Sequence, residues 1–472
     1  MAKKINRRAA LKTAGLAASG LALAASPLVR KAGAAEKLNF LFILSDDQRY
    51  DALSIAGHPF LKTPHLDWVA QTGTRFTNAF VTTSLCSPSR ASFLTGKYAH
   101  NHGVMNNLTP WQEGNVTFLE LLKKAGWYTG FIGKWHMPGK GLPDLVGQGK
   151  IDEFVSFTAV GGQGIYNNCP LVSNGKPLKI KGYITDVLDD LAVSFINRAR
   201  DKNFCLYLSH KATHMPFDTP PPYKGMYQDA KLDLPPEYLA RGLDLKDAYL
   251  YGPAGFSGRR MEDEMRKYFA TVRALDDSLA KVFGELDRLN LLDRTVIVFC
   301  GDNGFLWGEH NLIDKRFAYE ESMRIPYLVR APGIISQPGN NIDRMILNID
   351  LAPSFLDLAG LPAPEYMQGQ SFKPLLRDST GPWRKSFLYE YFYDPPYHVP
   401  AQLAVRTETA KYVRYKNDQL PEALYDLSSD PREQTNLAGD AGHEALKKEL
   451  AGGLDQLLKQ TGYPGKYQPK KP

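Results

Sequence analysis

Leu38-Asn39-Phe40-Leu41-Phe42-Ile43-Leu44 is an almost unbroken apolar run, and it empties into Ser45-Asp46-Asp47. A strand with one wet face alternates apolar and polar residues. A strand that is apolar throughout is buried on both faces, as in parallel or mixed sheets covered by helices. Runs of the same kind recur at Phe204–Leu208 (FCLYL) and Thr295–Cys300 (TVIVFC). Between them the period changes. Tyr183–Arg200 carries Val187, Leu188, Leu191 and Phe195 at helical spacing. Met261–Leu289 repeats this with Phe269, Val272, Leu275, Leu279, Val282 and Leu286. Buried strands alternating with amphipathic helices predict a layered α/β domain. From about Ser371 the pattern shifts. Phe387–Tyr393, Leu403–Thr407 and Lys411–Tyr415 read as half-exposed strands, with a turn at Asp418–Glu422 and a helix near His443–Lys459. This predicts a second, smaller unit, an antiparallel sheet with a helix.

In open α/β sheets, ligands bind beyond the carboxyl ends of the strands. Four predicted strands end in ionisable groups. The first delivers Asp46 and Asp47, and Tyr128–Ile132 delivers Lys134 and His136. Phe204–Leu208 delivers His210 and His214, and Thr295–Cys300 delivers Asp302 and Asn303. Any one of these ends alone reads as an ordinary turn. Together, Asp46, Asp47, Asp302 and Asn303 form a set of hard oxygen donors, which suits Ca²⁺ or Mg²⁺ rather than zinc.

The chain begins with Asn6-Arg7-Arg8-Ala9-Ala10-Leu11-Lys12, then a stretch rich in Ala, Gly and Leu and a small-residue site at Ala32-Gly33-Ala34. This reads as an export signal over residues 1–34. It is similar to twin-arginine signals, although Ala10 stands where phenylalanine is usual. The stretch is too weakly apolar to span a membrane, so stable membrane insertion is not expected. Lys3, Lys4, Arg7, Arg8, Lys12, Arg30 and Lys31 supply the whole formal charge of +7 on the 472 residues. The remainder is formally neutral, which removes any argument for nucleic acid from charge. Lys466, Lys470 and Lys471 read as a solvated tail. The four cysteines, Cys86, Cys169, Cys205 and Cys300, show no zinc-type spacing. Cys205 and Cys300 sit inside apolar runs and read as core.

Cys86-Ser87-Pro88-Ser89-Arg90, continued by Leu94-Thr95-Gly96, reads locally as the start and stop of a helix. Pro88 suits a first turn and Gly96 a C-terminal stop. That would put Cys86 beside a helix N-terminus, which favours an anion. A lone buried cysteine beside a proline turn is the bland alternative. The motif as a whole resembles the Cys-x-Pro-Ser-Arg…Thr-Gly signature of type I sulfatases. In that family the cysteine is oxidised to Cα-formylglycine, whose hydrate is the nucleophile.

The resemblance extends from about Leu38 to Leu437. It implies an alkaline-phosphatase-like sandwich: a large mixed, mostly parallel sheet between helices, plus a small C-terminal antiparallel sheet with a helix. The catalytic domain would cover residues 35–370 and the C-terminal subdomain residues 371–472. It implies one divalent ion, usually calcium, on Asp46, Asp47, Asp302, Asn303 and the modified Cys86. Arg90 resembles the arginine that holds the formylglycine. Gly133-Lys134-Trp135-His136 resembles the Gly-Lys-x-His signature, in which the lysine binds sulfate and the histidine takes a proton from the second hydroxyl. Thr213-His214-Met215-Pro216 resembles the His-x-Pro segment whose histidine faces the leaving oxygen. Lys315, in Ile313-Asp314-Lys315-Arg316, resembles the second sulfate-binding lysine. His210 competes with His214 for its role, while His100, His102 and His310 have no assigned part.

Within the family, Leu94–Asn107, Tyr183–Asp186 and Ile313–Arg316 are similar to N-acetylglucosamine-6-sulfatases, which implies sulfated saccharides such as glycosaminoglycan fragments as substrate. The other partners implied are a formylglycine-generating enzyme and the export machinery of a bacterium, with a periplasmic or secreted location. Two rivals stand beside this reading: a phosphonate or phosphate diester hydrolase of the same superfamily, and an exported, non-catalytic protein that binds sulfated glycans with Cys86 unmodified.

Overall fold

A computed structural model of the chain describes residues 37–137, 143–236, 261–416 and 420–465. The export signal at 1–34, the lysine tail after 465 and the first two residues of the turn at 418–422 lie outside the described residues.

The Asn39–Ser45 strand is the middle of a ten-stranded sheet and is buried along its whole length. Its side chains alternate between two cores. Phe40, Phe42 and Leu44 enter one, with Phe93, Leu94, Phe118 and Phe355. Leu41 and Ile43 enter the other, with Val187, Leu188, Phe195, Leu275 and Leu279. Each face is covered by helices, which is why the strand has no polar alternation. Phe204–Ser209 and Thr295–Gly301 pair with it in parallel on either side. Tyr128–Gly133 follows, parallel to Phe204–Ser209, and Glu153–Phe157 is parallel to that. Tyr327–Arg330 runs antiparallel to Thr295–Gly301, followed by Thr74–Phe76 and, parallel to that, Asn341–Ile342 at one edge; the antiparallel Pro170–Ser173/Lys176–Lys179 hairpin forms the other. The sheet is therefore mixed with a parallel centre, as expected.

The two predicted helices run over Ile184–Ala199 and Met261–Arg288. In the first, Ile184, Val187, Leu188, Ala192, Phe195, Ile196 and Ala199 are buried at three- and four-residue spacing. The C-terminal sheet has the order Ser386–Tyr391, Gln402–Thr407, Ala410–Tyr415, Ala423–Asp426, all antiparallel. The Glu444–Gln460 helix packs its Leu450 and Leu454 on this sheet. The same apolar cluster includes Phe80, Leu85, Tyr98 and Leu347, so the small sheet and the Cys86 region share a core. Among the described residues, no helix is long and apolar enough to cross a membrane.

His100 ties this packing to pH. Its Nδ1 lies 2.6 Å from Glu390 Oε2 and its Nε2 lies 3.0 Å from the Thr461 carbonyl. Burial opposes the charged ring, but hydrogen bonding and the charge of Glu390 outweigh it, and the pKa of His100 is raised. A raised folded pKa contributes stability that is complete below the unfolded value of about 6.5 and is lost as pH rises through the folded one. His100→Gln should therefore lower the thermal midpoint more at pH 5.5 than at pH 9. Melting curves at the two pH values check this; an equal deficit at both would contradict it.

Candidate active site

The four parallel strands at the centre of the sheet end side by side, which gathers residues from distant parts of the chain. The junction after Tyr128–Gly133 shows how tightly. Gly133 has φ 117°, and a Cβ there would stand 1.8 Å from the Ser209 carbonyl oxygen. Only glycine lets the neighbouring strand pass so close, and the next residue, Lys134, is thereby turned toward Asp46. Lys134 and Asp46 form a fully buried ion pair.

The Cys86–Thr95 helix begins at the cysteine, with Leu85 as the preceding cap residue, and ends at Gly96 in a left-handed conformation. Cys86 is thus the first helical residue. Its Sγ lies 3.1 Å from Lys315 Nζ, 3.5 Å from Asp46 Oδ1 and 4.0 Å from Asp47 Oδ1. Lys315 also pairs with Asp47. Arg90 donates from Nε to Asp302 Oδ2 at 3.0 Å and from Nη1 to Ser209 Oγ at 2.6 Å. Its Nη2 lies 2.7 Å from the same Asp302 oxygen and 3.6 Å from Asp46. The backbone N–H of Asp47 donates to Asp302 Oδ1 at 2.9 Å, and Asn303 Nδ2 donates to Asp47 Oδ1 at 2.7 Å. Every candidate from the four strand ends except His210 is part of this constellation or borders it.

The electrostatics are those of a dry anion and cation site. Burial alone would raise Asp46, but Lys134, then His214 and Arg90, overcome it and hold its pKa well below the usual range. For Asp47 burial outweighs Lys315, and its pKa is raised. Asp302 is pushed up to about 7 by burial and then by the Asp46 charge, against Arg90. Burial also drives the Cys86 thiol up, against the charges of Lys134 and Lys315. Oxygen atoms of Asp46, Asp47 and Asp302 lie within 4.8 Å of one another. Asn303 Oδ1 is buried with no hydrogen-bond partner among the described residues. Two carboxyls held above their ordinary range and an orphaned amide oxygen fit a divalent cation bound by hard oxygens.

His214 Nε2 lies 3.6 Å from Asp47 Oδ2 and touches the Gln163 amide. Its Nδ1 lies 2.7 Å from the Met215 carbonyl, which assigns the proton to Nδ1 and leaves Nε2 facing the site. Burial, then Lys134, depresses its pKa well below the ordinary value. His136 is likewise depressed by burial and Lys134. Ser87 Oγ donates to the His136 carbonyl, fixing that loop against the Cys86 helix. His210 points elsewhere: its Nε2 is 3.2 Å from Asp189 on the Ile184–Ala199 helix, off the hydrogen-bonding direction. His310 stacks on Tyr319 at 3.6 Å and lies 3.8 Å from Glu321. His102 Nε2 meets Ser92 Oγ at 3.1 Å, inside the core.

Three neighbours were not foreseen. Gln163 and Tyr166 hold His214 from its ring and its carbonyl, the latter at 2.6 Å. Lys211 is buried over the Tyr166 ring, and burial followed by Lys134 lowers its pKa to about 8. Lys211 lies two residues past the Phe204–Ser209 strand, so the strand-end rule applied to it too. Gln163 and Tyr166 belong to a loop with no such signal.

The comparisons with known proteins agree with this geometry. Residues 38–361 match the family model described as Sulfatase, and residues 308–460 match that of the N-sulphoglucosamine sulphohydrolase C-terminal region. The chain is 31% identical to an N-acetylglucosamine-6-O-sulfatase of Bacteroides thetaiotaomicron, over 94% of this chain and 90% of the relative. It is 30% identical to the N-acetylglucosamine-6-sulfatase of Homo sapiens, over 87% of this chain and 82% of the relative. A solved structure of a protein in complex with its substrate D-glucosamine-2-N,6-O-disulfate superposes with a TM-score of 0.81 at 29% identity, covering 90% of this chain and 98% of that one. A family model over most of the chain and full-length relatives of this identity leave one assignment: the chain belongs to the sulfatase family, and its reaction is the hydrolysis of sulfuric esters.

Proposed function

We propose that this enzyme removes the 6-O-sulfate from glucosamine or N-acetylglucosamine residues of sulfated saccharides, through a formylglycine made from Cys86. The substrate half rests on the relatives, two of which carry that activity in their names. The chemical half rests on one observation: Cys86 Sγ stands 3.1 Å from Lys315 Nζ, between two buried carboxylate–lysine pairs. Sγ there stands in for a hydroxyl oxygen of the hydrated aldehyde. The hydrate supplies two hydroxyls, one to accept the sulfuryl group and one whose deprotonation returns the aldehyde and frees sulfate. An ordinary thiol or hydroxyl could not regenerate in this way.

Arg90 holds position 86 and Asp302 together. Lys134 and Lys315 carry the charge that meets a sulfate, fixed before substrate arrives by their ion pairs with Asp46 and Asp47. His136 takes the proton of the second hydroxyl, and His214, whose Nε2 takes up a proton once the anionic sulfate ester lies beside it, gives that proton to the departing sugar oxygen. Asp46, Asp47, Asp302, Asn303 and residue 86 would hold the metal, with Ca²⁺ favoured over Mg²⁺ because a set of protein oxygen donors suits Ca²⁺, whereas Mg²⁺ usually keeps several waters. When bound, a divalent ion offsets the charge of the sulfate and polarises an S–O bond. We assign catalysis to a domain over residues 35–370, with 371–472 as the C-terminal subdomain. The enzyme is exported, to the periplasm or beyond, after meeting a formylglycine-generating enzyme.

A panel of glucosamine 6-, 3- and 2-N-sulfates beside matched aryl sulfate, phosphate and phosphonate esters tests the substrate. Turnover should be highest on the 6-sulfate. A preference for phosphonate or phosphate esters would overturn this reading.

His214→Ala should reduce turnover of a sulfated sugar by about 100- to 10,000-fold, the usual contribution of a general acid. The loss on nitrocatechol sulfate should be much smaller, because that leaving group hardly needs a proton. His210→Ala serves as the control, since His210 is turned toward Asp189. Equal losses on both substrates in His214→Ala would assign that residue to sulfate binding instead.

A further inference from the structure

Lys315 is placed by residues far from it in sequence. Its neighbours Asp314 and Arg316 both adopt positive φ, 84° and 87°. A non-glycine residue on each side in that region costs energy and persists only where surrounding contacts impose it. Those contacts come from the C-terminal sheet. The Arg316 carbonyl accepts from Tyr389 OH at 2.8 Å and from Gln402 Nε2 at 3.3 Å. The Ala318 N–H donates to Gln402 Oε1 at 2.9 Å, and its carbonyl accepts from Lys411 Nζ at 2.8 Å. The Arg316 guanidinium lies over the Tyr397 ring, 3.4 Å from its centroid.

Asp394, just past the Ser386–Tyr391 strand, joins this loop to the nucleophile. Its Oδ2 accepts from Arg316 Nη2 at 3.1 Å and Nε at 3.3 Å. Its Oδ1 accepts from the Asn107 N–H at 3.1 Å. The Asn107 side-chain oxygen in turn accepts from the N–H of Ser87, the residue after Cys86, at 3.0 Å. Asp394 is 1% exposed and Arg316 2%, so the pair is shielded from screening. Tyr389 makes a parallel bridge, accepting from the Ser84 N–H at 3.4 Å while donating to Arg316.

We propose that Asp394 is a positioning residue for sulfate-ester hydrolysis: it sets the spacing of Lys315 to position 86 by anchoring Arg316 on one side and, through Asn107, Ser87 on the other. The inference rests on the catalytic role of Lys315 given above. A charged group held by two geometric clamps acts before substrate binds, so its loss falls on the chemical step rather than on affinity.

The test is steady-state kinetics on a 6-sulfated glucosamine, with melting curves, for Asp394→Asn, Lys315→Ala and the double variant. Asp394→Asn keeps an acceptor for Asn107 and removes the charge that ties Arg316 to the C-terminal sheet, leaving Arg316 its local pair with Asp314. Its kcat should fall by about ten- to a hundredfold, the cost of misplacing a reacting group by about an ångström. Its KM should stay within about threefold of wild type, as for a group acting in the transition state. Tyr412→Phe, which removes a hydroxyl bound to Glu422 in the same sheet, should leave kcat unchanged. The double variant should be no slower than Lys315→Ala on nitrocatechol sulfate. Unchanged kcat in Asp394→Asn, a loss confined to KM, or the same factor lost again in the Lys315→Ala background would overturn the proposal. Full activity in Lys315→Ala would instead overturn the role of Lys315, and this inference with it.

Discussion

Cys86→Ala should abolish turnover while leaving the fold intact. The nucleophile of an enzyme that works through a covalent step is not replaceable by its surroundings, and its loss costs about 10⁴-fold or more. The structural cost is small by comparison. The substitution removes one sulfur atom from a packed site and one contact with Lys315, which keeps its ion pair with Asp47. A cavity of that size costs about 1 kcal/mol. Cys86→Ser should be as inactive as Cys86→Ala unless the host converts serine. Residual activity within tenfold of wild type would sink the formylglycine reading, and a large fall in melting temperature would make the cysteine a packing residue.

The second large effect is removal of the metal. Dialysis against chelator should cut activity by about 10³-fold or more, since a Lewis acid at such a site supplies several kcal/mol of transition-state stabilisation. Added Ca²⁺ should restore it. The ion also stabilises the folded state by mass action, by about 2.7 kcal/mol at a hundredfold excess over its dissociation constant. Asp302→Ala should lose both activity and thermal stability, for two separable reasons. It would delete a ligand of the proposed metal, and it strips Arg90 of its partner at 2.7 Å, leaving a buried guanidinium with Asp46 at 3.6 Å. Breaking such a buried pair costs about 3–5 kcal/mol. The stability deficit that persists in chelator is the Arg90 part; the remainder is the ion. No stoichiometric divalent ion in the purified protein, with full activity in chelator, would remove the metal from the account.

Much of this site could be read from the chain because its residues sit at the ends of strands that are apolar for a simple reason. Phe40, Leu41, Phe42 and Ile43 have a core on each face, so the strand announces itself, and so does the point where it stops at Asp46. The Cys86 helix carried its own start and stop in Pro88 and Gly96. The Pro170–Ser173/Lys176–Lys179 hairpin did not, because it is a half-exposed edge whose polar residues look like loop. The clamp on Lys315 was invisible for another reason. Asp394, Tyr389 and Gln402 act through contacts with residues 73 to 86 positions away or farther, and a single aspartate after a strand has no local signature. The choice between His214 and His210 also needed three dimensions. They lie four residues apart, yet one faces Asp47 and the other Asp189. Context in Met215-Pro216 favoured His214, and its ring is the one that lies beside Asp47.

The most direct test of the central claim is the mass of the proteolytic peptide containing Cys86, from protein purified from its own host or co-expressed with a formylglycine-generating enzyme. Catalysis by formylglycine requires a peptide in which –CH₂SH is replaced by –CHO, together with its hydrate, in proportion to specific activity across preparations. An unmodified, alkylatable thiol at position 86 in fully active protein would contradict it.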